Sequence, residues 1–271
     1  MKPQVILTGH DLGHSQAVNI GFEYALTKLP KVFSELSLLP NSPYSVDGAK
    51  IAKESSISTH LSFCFTTSRF KALTGISSLT DSQGYLHSVP NVDTWDFSVI
   101  DTFDPVDITK EIEAQYEWFL KHVGKKPSAL VTQKGEHGDP KILEPLIKLA
   151  KAENLPMRAP LWNWQANYGA QSLVESEGIK TTSQFLVCFK DWQKSSGYDL
   201  ELDFERIVSK VKAHQGVSEL ALFCGFCDQE LFDTTSVSWQ RGQLLNILKR
   251  KYYLIERLYD EFEIITYADL T

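Results

Sequence analysis

Residues 4–15, QVILTGHDLGHS, decide the fold of this chain. An apolar run leads straight to a glycine, and charged and polar side chains follow at once. Later runs are similarly apolar, FLVCF at 185–189 and LALFC at 220–224. Nearly continuous apolar runs of this length are typical of strands buried on both faces, as in parallel sheets flanked by helices. The pattern therefore predicts a parallel sheet with polar residues gathered where its strands end.

Helical patterns alternate with these strand patterns along the chain. Strands are predicted at 4–8, 35–39, 57–63, 129–132, 156–159, 183–189, 219–224 and 263–267. Helices are predicted at 15–28, 45–53, 107–123, 140–154, 170–177, 203–214 and 239–262, the last capped by Ser236 or Ser238. This alternation favours an α/β fold, a single-domain distorted (β/α) barrel with seven to eight mostly parallel strands; an open doubly wound sheet is the alternative. We expect one domain over residues 1–271, with an irregular excursion at about 66–105.

Composition argues against several classes of partner. The 271 residues carry 27 Lys and Arg against 34 Asp and Glu, a formal net charge of −7, so no nucleic-acid partner is expected. No apolar run approaches the roughly 20 residues needed to cross a bilayer, and no membrane partner is expected. Four cysteines are too few for a disulfide framework in a chain of this length. The sequence thus predicts a soluble, cytoplasmic protein with reduced thiols.

Ionisable and polar side chains concentrate at the predicted carboxyl ends of the strands, where parallel barrels carry their sites. They are His10, Asp11, His14, His60, Gln133, Glu136, His137, Arg158 and Trp162. A carboxylate and imidazoles that converge from different strands hold a divalent transition metal and leave positions open for water and substrate. Such a centre suits hydrolysis of an amide or an ester. Packing is the alternative for each residue, with His60 as a core histidine and Asp11 as a helix N-cap.

Several segments also resemble one family of enzymes. Residues 5–26, VILTGHDLGHSQAVNIGFEYAL, are similar to the apolar strand, Asp-Asp-Phe-Gly motif and Asn-containing helix of the YdjC/ChbG-like (HpnK-type) carbohydrate deacetylases. STHLS at 58–62 resembles their His-Leu-Thr motif, and SLTD with GY at 78–85 resembles their Ser-Leu-Val-Asp and Gly-Tyr motif. Residues 127–158 resemble their Asp-Ser-His-x-His-x-His segment with the helix and Ile-Pro-x-Arg strand that follow. Residues 236–248, with Arg241, resemble their C-terminal Tyr/Ser-x-x-Arg segment.

The resemblance implies a metal-dependent hydrolase that removes an acetyl group from an N-acetylated sugar. It also implies one Asp as base, with a second Asp and two His as metal ligands. Carried over to this chain, the ligands are Asp11, His60 and Gln133, while His10 stands at the position of the first Asp. His137 matches the last family histidine, and the other family positions are replaced by Val131, Gly135, Gly225 and Leu244. Because glutamine offers a neutral carbonyl oxygen in place of an imidazole nitrogen, we expect a divalent metal (Zn, Mg or Mn) that is weakly bound or absent.

Two interpretations of function follow. In the first, the chain is a divergent metal-dependent deacetylase that hydrolyses the C–N amide bond of a small N-acetylated saccharide. His10 is then the catalytic base and His137 the acid, and the substrate is bound by Arg158, Trp162 and Arg241. His10 serves either as base or as a third metal ligand, since one imidazole cannot easily do both. In the second, the chain is a catalytically impaired sugar-binding or regulatory protein on the same barrel. A homodimer is compatible with both.

Overall fold

We describe a computed structural model of the chain over residues 2–89, 96–160, 167–187, 200–235 and 237–270. These ranges form a single α/β domain. Its strands are β1 (Gln4–Leu12), β2 (Glu35–Leu38), β3 (Ser58–Phe63), β4 (Leu130–Thr132), β5 (Gln184–Val187), β6 (Val217–Leu222) and β7 (Glu263–Ile265). Its α-helices are α1 (Gln16–Lys28), α2 (Ser45–Glu54), α3 (Pro105–Val123), α4 (Pro140–Glu153), α5 (Asn167–Ser176), α6 (Leu200–Ala213), α7 (Gln229–Thr234), α8 (Ser238–Arg250) and α9 (Tyr253–Glu261).

The sheet is a curled half-barrel in which every strand pair is parallel. Its order is β4-β3-β2-β1-β6-β5, and β7 pairs with the first residues of β1 while β2 pairs with its last residues. Met157 forms one parallel bridge to Leu130 of β4 and another to Thr181, which precedes β5. The segment around Met157 therefore lies between the two edge strands of the sheet. The predicted distorted barrel of mostly parallel strands is confirmed.

Two predicted elements differ from the structure, and one helix of the structure has no counterpart in the prediction. The strand predicted at 156–159 is reduced to the bridges of Met157. The single helix predicted at 239–262 is two helices, because the chain leaves helical geometry at Lys251 before it returns toward β7, which begins beside Gln4. The short helix α7 was not predicted. Val237 precedes α8 as its N-cap without a capping side chain, and Ser236 lies outside the described residues.

The two faces of the sheet differ in chemistry. Alternate strand residues, among them Val5, Leu7, Leu36, Leu61 and Leu220, belong to one large apolar core with the helices. The intervening residues point to the inner face, where a small apolar cluster around Ile6 and Tyr267 lies. The rest of the inner face is polar. Its side chains are fully buried, with 0% exposure for Thr8, Glu35, Ser37, His60, Ser62 and Glu219. In the ranges described, no helix has the length and apolar character needed to cross a membrane.

Candidate functional site

The irregular end of β1 brings two neighbouring side chains together. The register between β1 and β2 shifts between Gly9 and Leu12, and Asp11 has a φ of 69°, a left-handed conformation that aspartate tolerates better than most residues. The alternation of side chains is lost there, and His10 Nδ1 lies 2.9 Å from Asp11 Oδ1. Asp11 is therefore free of the N-cap role, which Ser15 fills by accepting a hydrogen bond from the Val18 backbone N–H.

Two buried arginines flank this His10–Asp11 pair. Arg241 donates from Nη2 to Asp11 Oδ2 at 2.5 Å and from Nη1 to the His10 carbonyl oxygen at 3.5 Å. Arg158 forms a bidentate pair with Glu219, at 2.6 Å from Nε and 2.5 Å from Nη2. Its third nitrogen, Nη1, lies 3.3 Å from His10 Nε2. Each carboxylate of this cluster is thus neutralised by one guanidinium group. The pair of Arg158 with Glu219 is bidentate, whereas Arg241 makes one hydrogen bond to Asp11.

The flanking groups fix the protonation of His10. A guanidinium nitrogen can only donate, so His10 Nε2 accepts from Arg158 and the ring proton sits on Nδ1, which donates to Asp11. Burial lowers the pKa of His10, although Asp11 opposes this shift. Burial also disfavours the charged form of Asp11, but His10 and Arg241 outweigh it and hold the pKa of that carboxyl well below its usual range. His10 is therefore a neutral imidazole with both nitrogens engaged.

Glu219 accepts hydrogen bonds from three side chains of the cluster. Besides Arg158, it accepts hydrogen bonds from Thr8 Oγ1 at 2.7 Å and from the Tyr267 hydroxyl at 2.5 Å. Burial disfavours its charged form, yet Arg158 lowers the pKa of Glu219 to about 2. Burial and the Glu219 charge raise the pKa of Tyr267 well above its ordinary value. Sequence reasoning missed both residues, although a glutamate inside the apolar run 219–224 is itself a signal of a paired, inward-facing charge.

Two partly exposed aromatic rings complete the walls. The Arg158 guanidinium lies 4.4 Å from the ring centre of Phe185, and that of Arg241 lies 5.0 Å from the ring centre of Phe223. The His10 ring is 4.8 Å from Phe223 and 6.3 Å from Phe185. Each arginine therefore touches one carboxylate and one aromatic face, with His10 between them. This role could not be predicted from the sequence, because both phenylalanines fall in ordinary apolar runs.

The other two predicted metal ligands have different surroundings. His60 is fully buried on β3, with Nδ1 3.6 Å from Glu35 Oε2 and its ring edge-on to Tyr267. Gln133 Oε1 accepts a hydrogen bond from Thr67 Oγ1 at 2.5 Å and a weaker one from Cys64 Sγ at 3.6 Å. The side chain that the sequence assigns as a ligand in place of histidine is thus already engaged with a neighbouring loop.

The remaining predicted residues line the same end of the sheet. His137 Nδ1 lies 2.6 Å from Thr132 Oγ1, and burial together with Arg158 lowers the pKa of His137 to about 4. Burial and Arg241 lower the pKa of His14 to about 4, and its ring packs edge-on against Phe70. Glu136 accepts from Thr66 Oγ1 at 2.8 Å. Trp162 lies outside the described residues.

Helix α7 bridges the mouth of the site. The Tyr44 hydroxyl, after β2, donates to both carboxylate oxygens of Glu230 at 2.9 and 2.8 Å. Arg69, after β3, donates to the Asp233 carbonyl oxygen, and it is also among the cations that lower the pKa of His14. His10, Asp11, His14 and Arg241 are all at most 7% exposed. These four side chains are therefore shielded from solvent.

A divalent transition metal does not fit this arrangement. Within the described ranges, no group of three or more His, Cys, Asp or Glu side chains is placed to hold a metal ion. One oxygen of Asp11 accepts from His10 and the other from Arg241, so each oxygen of this carboxylate is already engaged by one donor. The Arg241 guanidinium supplies a positive charge beside Asp11.

Comparison with known proteins places the chain among relatives of one kind. A family model described as YdjC-like protein matches residues 4–267. A carbohydrate deacetylase of Clostridium beijerinckii is 22% identical over 271 residues, covering 98% of this chain and 100% of that protein. A carbohydrate deacetylase of Brevibacillus brevis is 25% identical over 279 residues, covering 98% of this chain and 99% of that protein. Among solved structures, an Enterococcus faecalis protein described as a cellobiose-phosphate cleavage protein superposes with a TM-score of 0.82 at 20% identity, covering 98% of each chain.

Proposed function

The chain belongs to the YdjC-like family, and on that premise we propose that it is a carbohydrate deacetylase-like protein that binds an N-acetylated saccharide at the carboxyl end of its sheet. Two relatives that match over nearly its full length are named carbohydrate deacetylases, which supports a saccharide as the ligand. The proposal assigns binding to Arg158, Arg241, Phe185 and Phe223, which surround His10.

One observation carries this proposal: each arginine is paired with a partly exposed aromatic ring. Sugars present a hydroxyl-rich edge and an apolar ring face, so they are recognised by hydrogen-bond donors set beside aromatic side chains. The acetyl carbonyl and the hydroxyls of an N-acetylated sugar accept hydrogen bonds from guanidinium nitrogens. Because Asp11 and Glu219 neutralise the two arginines, the pair suits a neutral ligand without a large desolvation cost.

Binding in this proposal does not depend on a metal. Asp11 and Gln133 direct their side-chain oxygens to Arg241, His10 and Thr67, and His60 faces Glu35. The positive charge next to Asp11 belongs to Arg241. We therefore expect saccharide affinity to be the same before and after treatment with a chelator.

Hydrolysis of the acetyl amide is the second candidate, and the His10–Asp11 hydrogen bond favours it. An imidazole oriented by a carboxylate is the usual form of a general base. In such a reaction His10 takes a proton from water as the oxygen bonds to the acyl carbon. The C–N bond then breaks as His10 gives that proton to the leaving amine, because His137, whose pKa is lowered to about 4, is neutral and carries no extra proton. Arg158 would first have to leave His10 Nε2, since that nitrogen must be free to accept the proton. Binding without turnover needs no such step.

Calorimetry with an N-acetylated amino-sugar oligosaccharide tests the proposal, with acetate measured in the same samples. We expect saturable binding that is unchanged by chelator, that weakens at least tenfold in Phe223→Ala, and that is accompanied by no release of acetate. Phe226→Ala is the matched control, because that exposed phenylalanine packs against Tyr24 on α1 rather than on His10. If the parent protein and both variants all fail to bind the oligosaccharide, the proposal is refuted. Acetate release in proportion to protein would establish the second candidate instead.

A further inference from the structure

Glu111 of α3 is a fully buried carboxylate on the helix that follows the excursion. Its Oε1 accepts hydrogen bonds from Asn41 Nδ2 and the Leu73 backbone N–H at 3.0 Å and from Gln115 Nε2 at 2.8 Å. Its Oε2 accepts from the backbone N–H and the hydroxyl of Thr74 at 3.0 and 2.7 Å. A buried carboxylate is costly unless it is hydrogen-bonded. Four of its five donors belong to segments that follow β2 and β3, so Glu111 fastens these segments to α3.

Gln115, one turn further along α3, holds the chain where β3 ends. Its Oε1 accepts from the Cys64 backbone N–H at 3.0 Å, and its Nε2 donates to the Cys64 carbonyl oxygen at 2.9 Å. The same Nε2 donates to Glu111, so hydrogen bonds run from Cys64 through α3 to Thr74. Residues 64–74 are therefore fastened to one helix at both ends.

Between these ends, residues 64–74, here named the wall segment, contact the candidate site. Thr67 Oγ1 donates to Gln133 Oε1 at 2.5 Å. The Phe70 ring lies edge-on to the His14 ring, with 5.4 Å between ring centres. The packing of His14 therefore depends on a segment whose two ends are held by α3.

We propose that Glu111 and Gln115 are positioning residues that hold the wall segment against His14 and thereby keep the site in shape for its ligand. Hydrogen bonds to an ionised acceptor are stronger than neutral ones, which suits Glu111 to fixing backbone N–H groups of a loop. Helix α3 is a firm base for them, because its apolar side chains belong to the main core. The statement about the ligand rests on the proposed saccharide function, whereas the statement about His14 does not.

An NMR titration of His14 tests the positioning without any ligand. Because both oxygens of Glu111 accept hydrogen bonds, the amide nitrogen in Glu111→Gln meets donors whichever way it turns, and this releases the wall segment. Burial lowers the pKa of His14 to about 4, so this pKa should rise toward 6.5 as water reaches the ring. The wall segment also carries Arg69, which lowers the same pKa, while the other charged groups that act on His14 lie outside it: Arg241, Asp11 and Lys134. A folded Glu111→Gln variant with an unchanged pKa of His14 would overturn the proposal.

Thr74 offers a milder pair of variants at an exposed position, where substitution costs little stability. Thr74→Val removes the hydroxyl that donates to Glu111, and the pKa of His14 should rise by less than in Glu111→Gln. Thr74→Ser keeps the hydroxyl and should restore the parent value. Should Glu111→Gln fail to fold, an unchanged pKa of His14 in Thr74→Val would overturn the proposal instead.

Val123→Ala is the matched control for a general loss of stability. Val123 is buried on the same helix, roughly 18 Å from Glu111 at the usual rise per residue. Its truncation should lower Tm and leave the pKa of His14 at about 4. A rise equal to that in Glu111→Gln would show general loosening of the fold and would contradict the proposal.

Calorimetry with the N-acetylated amino-sugar oligosaccharide tests the statement about the ligand. Affinity should fall about two- to fivefold in Thr74→Val, at most the equivalent of one hydrogen bond, and should stay at the parent value in Thr74→Ser. Equal affinities in these two variants would overturn that statement. If the parent protein binds no saccharide, the proposed function fails, while the titration of His14 still decides whether α3 positions the wall segment.

Discussion

The outer and inner faces of the same sheet are equally buried but are stabilised in different ways. On the outer face, leucine, valine and phenylalanine side chains pack against the helices, and removal of apolar area from water stabilises them. On the inner face, Arg158 and Arg241 neutralise Glu219 and Asp11, and hydroxyls and imidazoles fill the remaining space. One sheet thus separates a core that determines the fold from a polar interior that determines the site.

This difference shows how a buried site can be stabilised by charge pairs in place of apolar packing. Buried carboxylates need a positive partner, and either a metal ion or a guanidinium group supplies it. In this chain Arg241 is the partner of Asp11, while His60 lies among uncharged hydroxyls and Glu35. The polar interior therefore stays balanced without a cation from solution.

The largest expected effect comes from breaking an ion pair of the inner face. Arg158→Met leaves Glu219 buried without its partner and should lower the free energy of unfolding by about 3–5 kcal/mol, because an uncompensated buried charge is costly. The double variant Arg158→Met with Glu219→Met should recover most of that loss. Urea denaturation measures both. Equal losses in the single and double variants would show that the charges themselves are not what holds the inner face together.

A neighbouring substitution on the outer face should cost slightly less and for a different reason. Leu61→Ala removes fully buried apolar volume from the core and should lower the free energy of unfolding by about 2–5 kcal/mol. Ser62→Ala, one residue later on the inner face, should cost about 1 kcal/mol or less, because it removes a single hydroxyl and little apolar volume. The same urea titrations measure the loss in free energy of unfolding for each variant. Similar losses for Leu61→Ala and Ser62→Ala would contradict the assignment of the two faces.

Acid should weaken the inner face within a defined range of pH. His14 and His137 have pKa values lowered to about 4, whereas an unfolded histidine titrates near 6.5. Between these values the unfolded chain binds protons that the folded chain does not. The free energy of unfolding therefore falls as pH decreases from 6.5 to 4, by at most about 3 kcal/mol for each residue.

Variants of the two kinds of histidine separate this effect from general acid sensitivity. His14→Gln should make the free energy of unfolding less dependent on pH between 6.5 and 4, as followed by urea denaturation at several pH values. His87→Gln, a partly exposed ring that stacks on Phe103 in the excursion, should leave the slope unchanged. An unaltered slope in His14→Gln would show that this imidazole is already charged in the folded protein.

The smallest effect on stability is expected at the mouth of the site. Tyr44→Phe removes the exposed hydrogen bonds to Glu230 and should change the free energy of unfolding by about 0.5 kcal/mol or less. Urea denaturation of Tyr44→Phe beside the parent protein measures this change. A loss well above about 1 kcal/mol would show that the contact stabilises α7 more than an exposed pair normally does.

The outer face could be predicted from sequence because its residues form the apolar runs from which strands are recognised. The barrel, its parallel strands and most helices follow from that pattern, whereas the break at Lys251 and the helix α7 depend on the course of the chain around the sheet. The inner face was harder to predict. Its signal is the alternation in ELSL at 35–38, HLSF at 60–63 and ELAL at 219–222, in which every second residue is polar or small.

The candidate site was predicted in part for the same reason. His10, Asp11, Arg158 and Arg241 were selected from strand ends and family resemblance, and the structure brings these four together. Which residue pairs with which depends on distances across the barrel, so the partnership of Arg158 with Glu219 and the contacts of Phe185 and Phe223 could not be derived from spacing along the chain.

A zinc titration of untagged, chelator-treated protein tests the central claim, that ion pairs of the protein itself balance the buried carboxylates of the inner face. Calorimetry of the parent protein should show no saturable zinc binding that Asp11→Asn removes, since the described residues hold no group of three or more metal-ligating side chains. Stoichiometric, tight uptake of zinc that disappears in Asp11→Asn would contradict the account, because Arg241 would then have yielded the carboxylate to the metal.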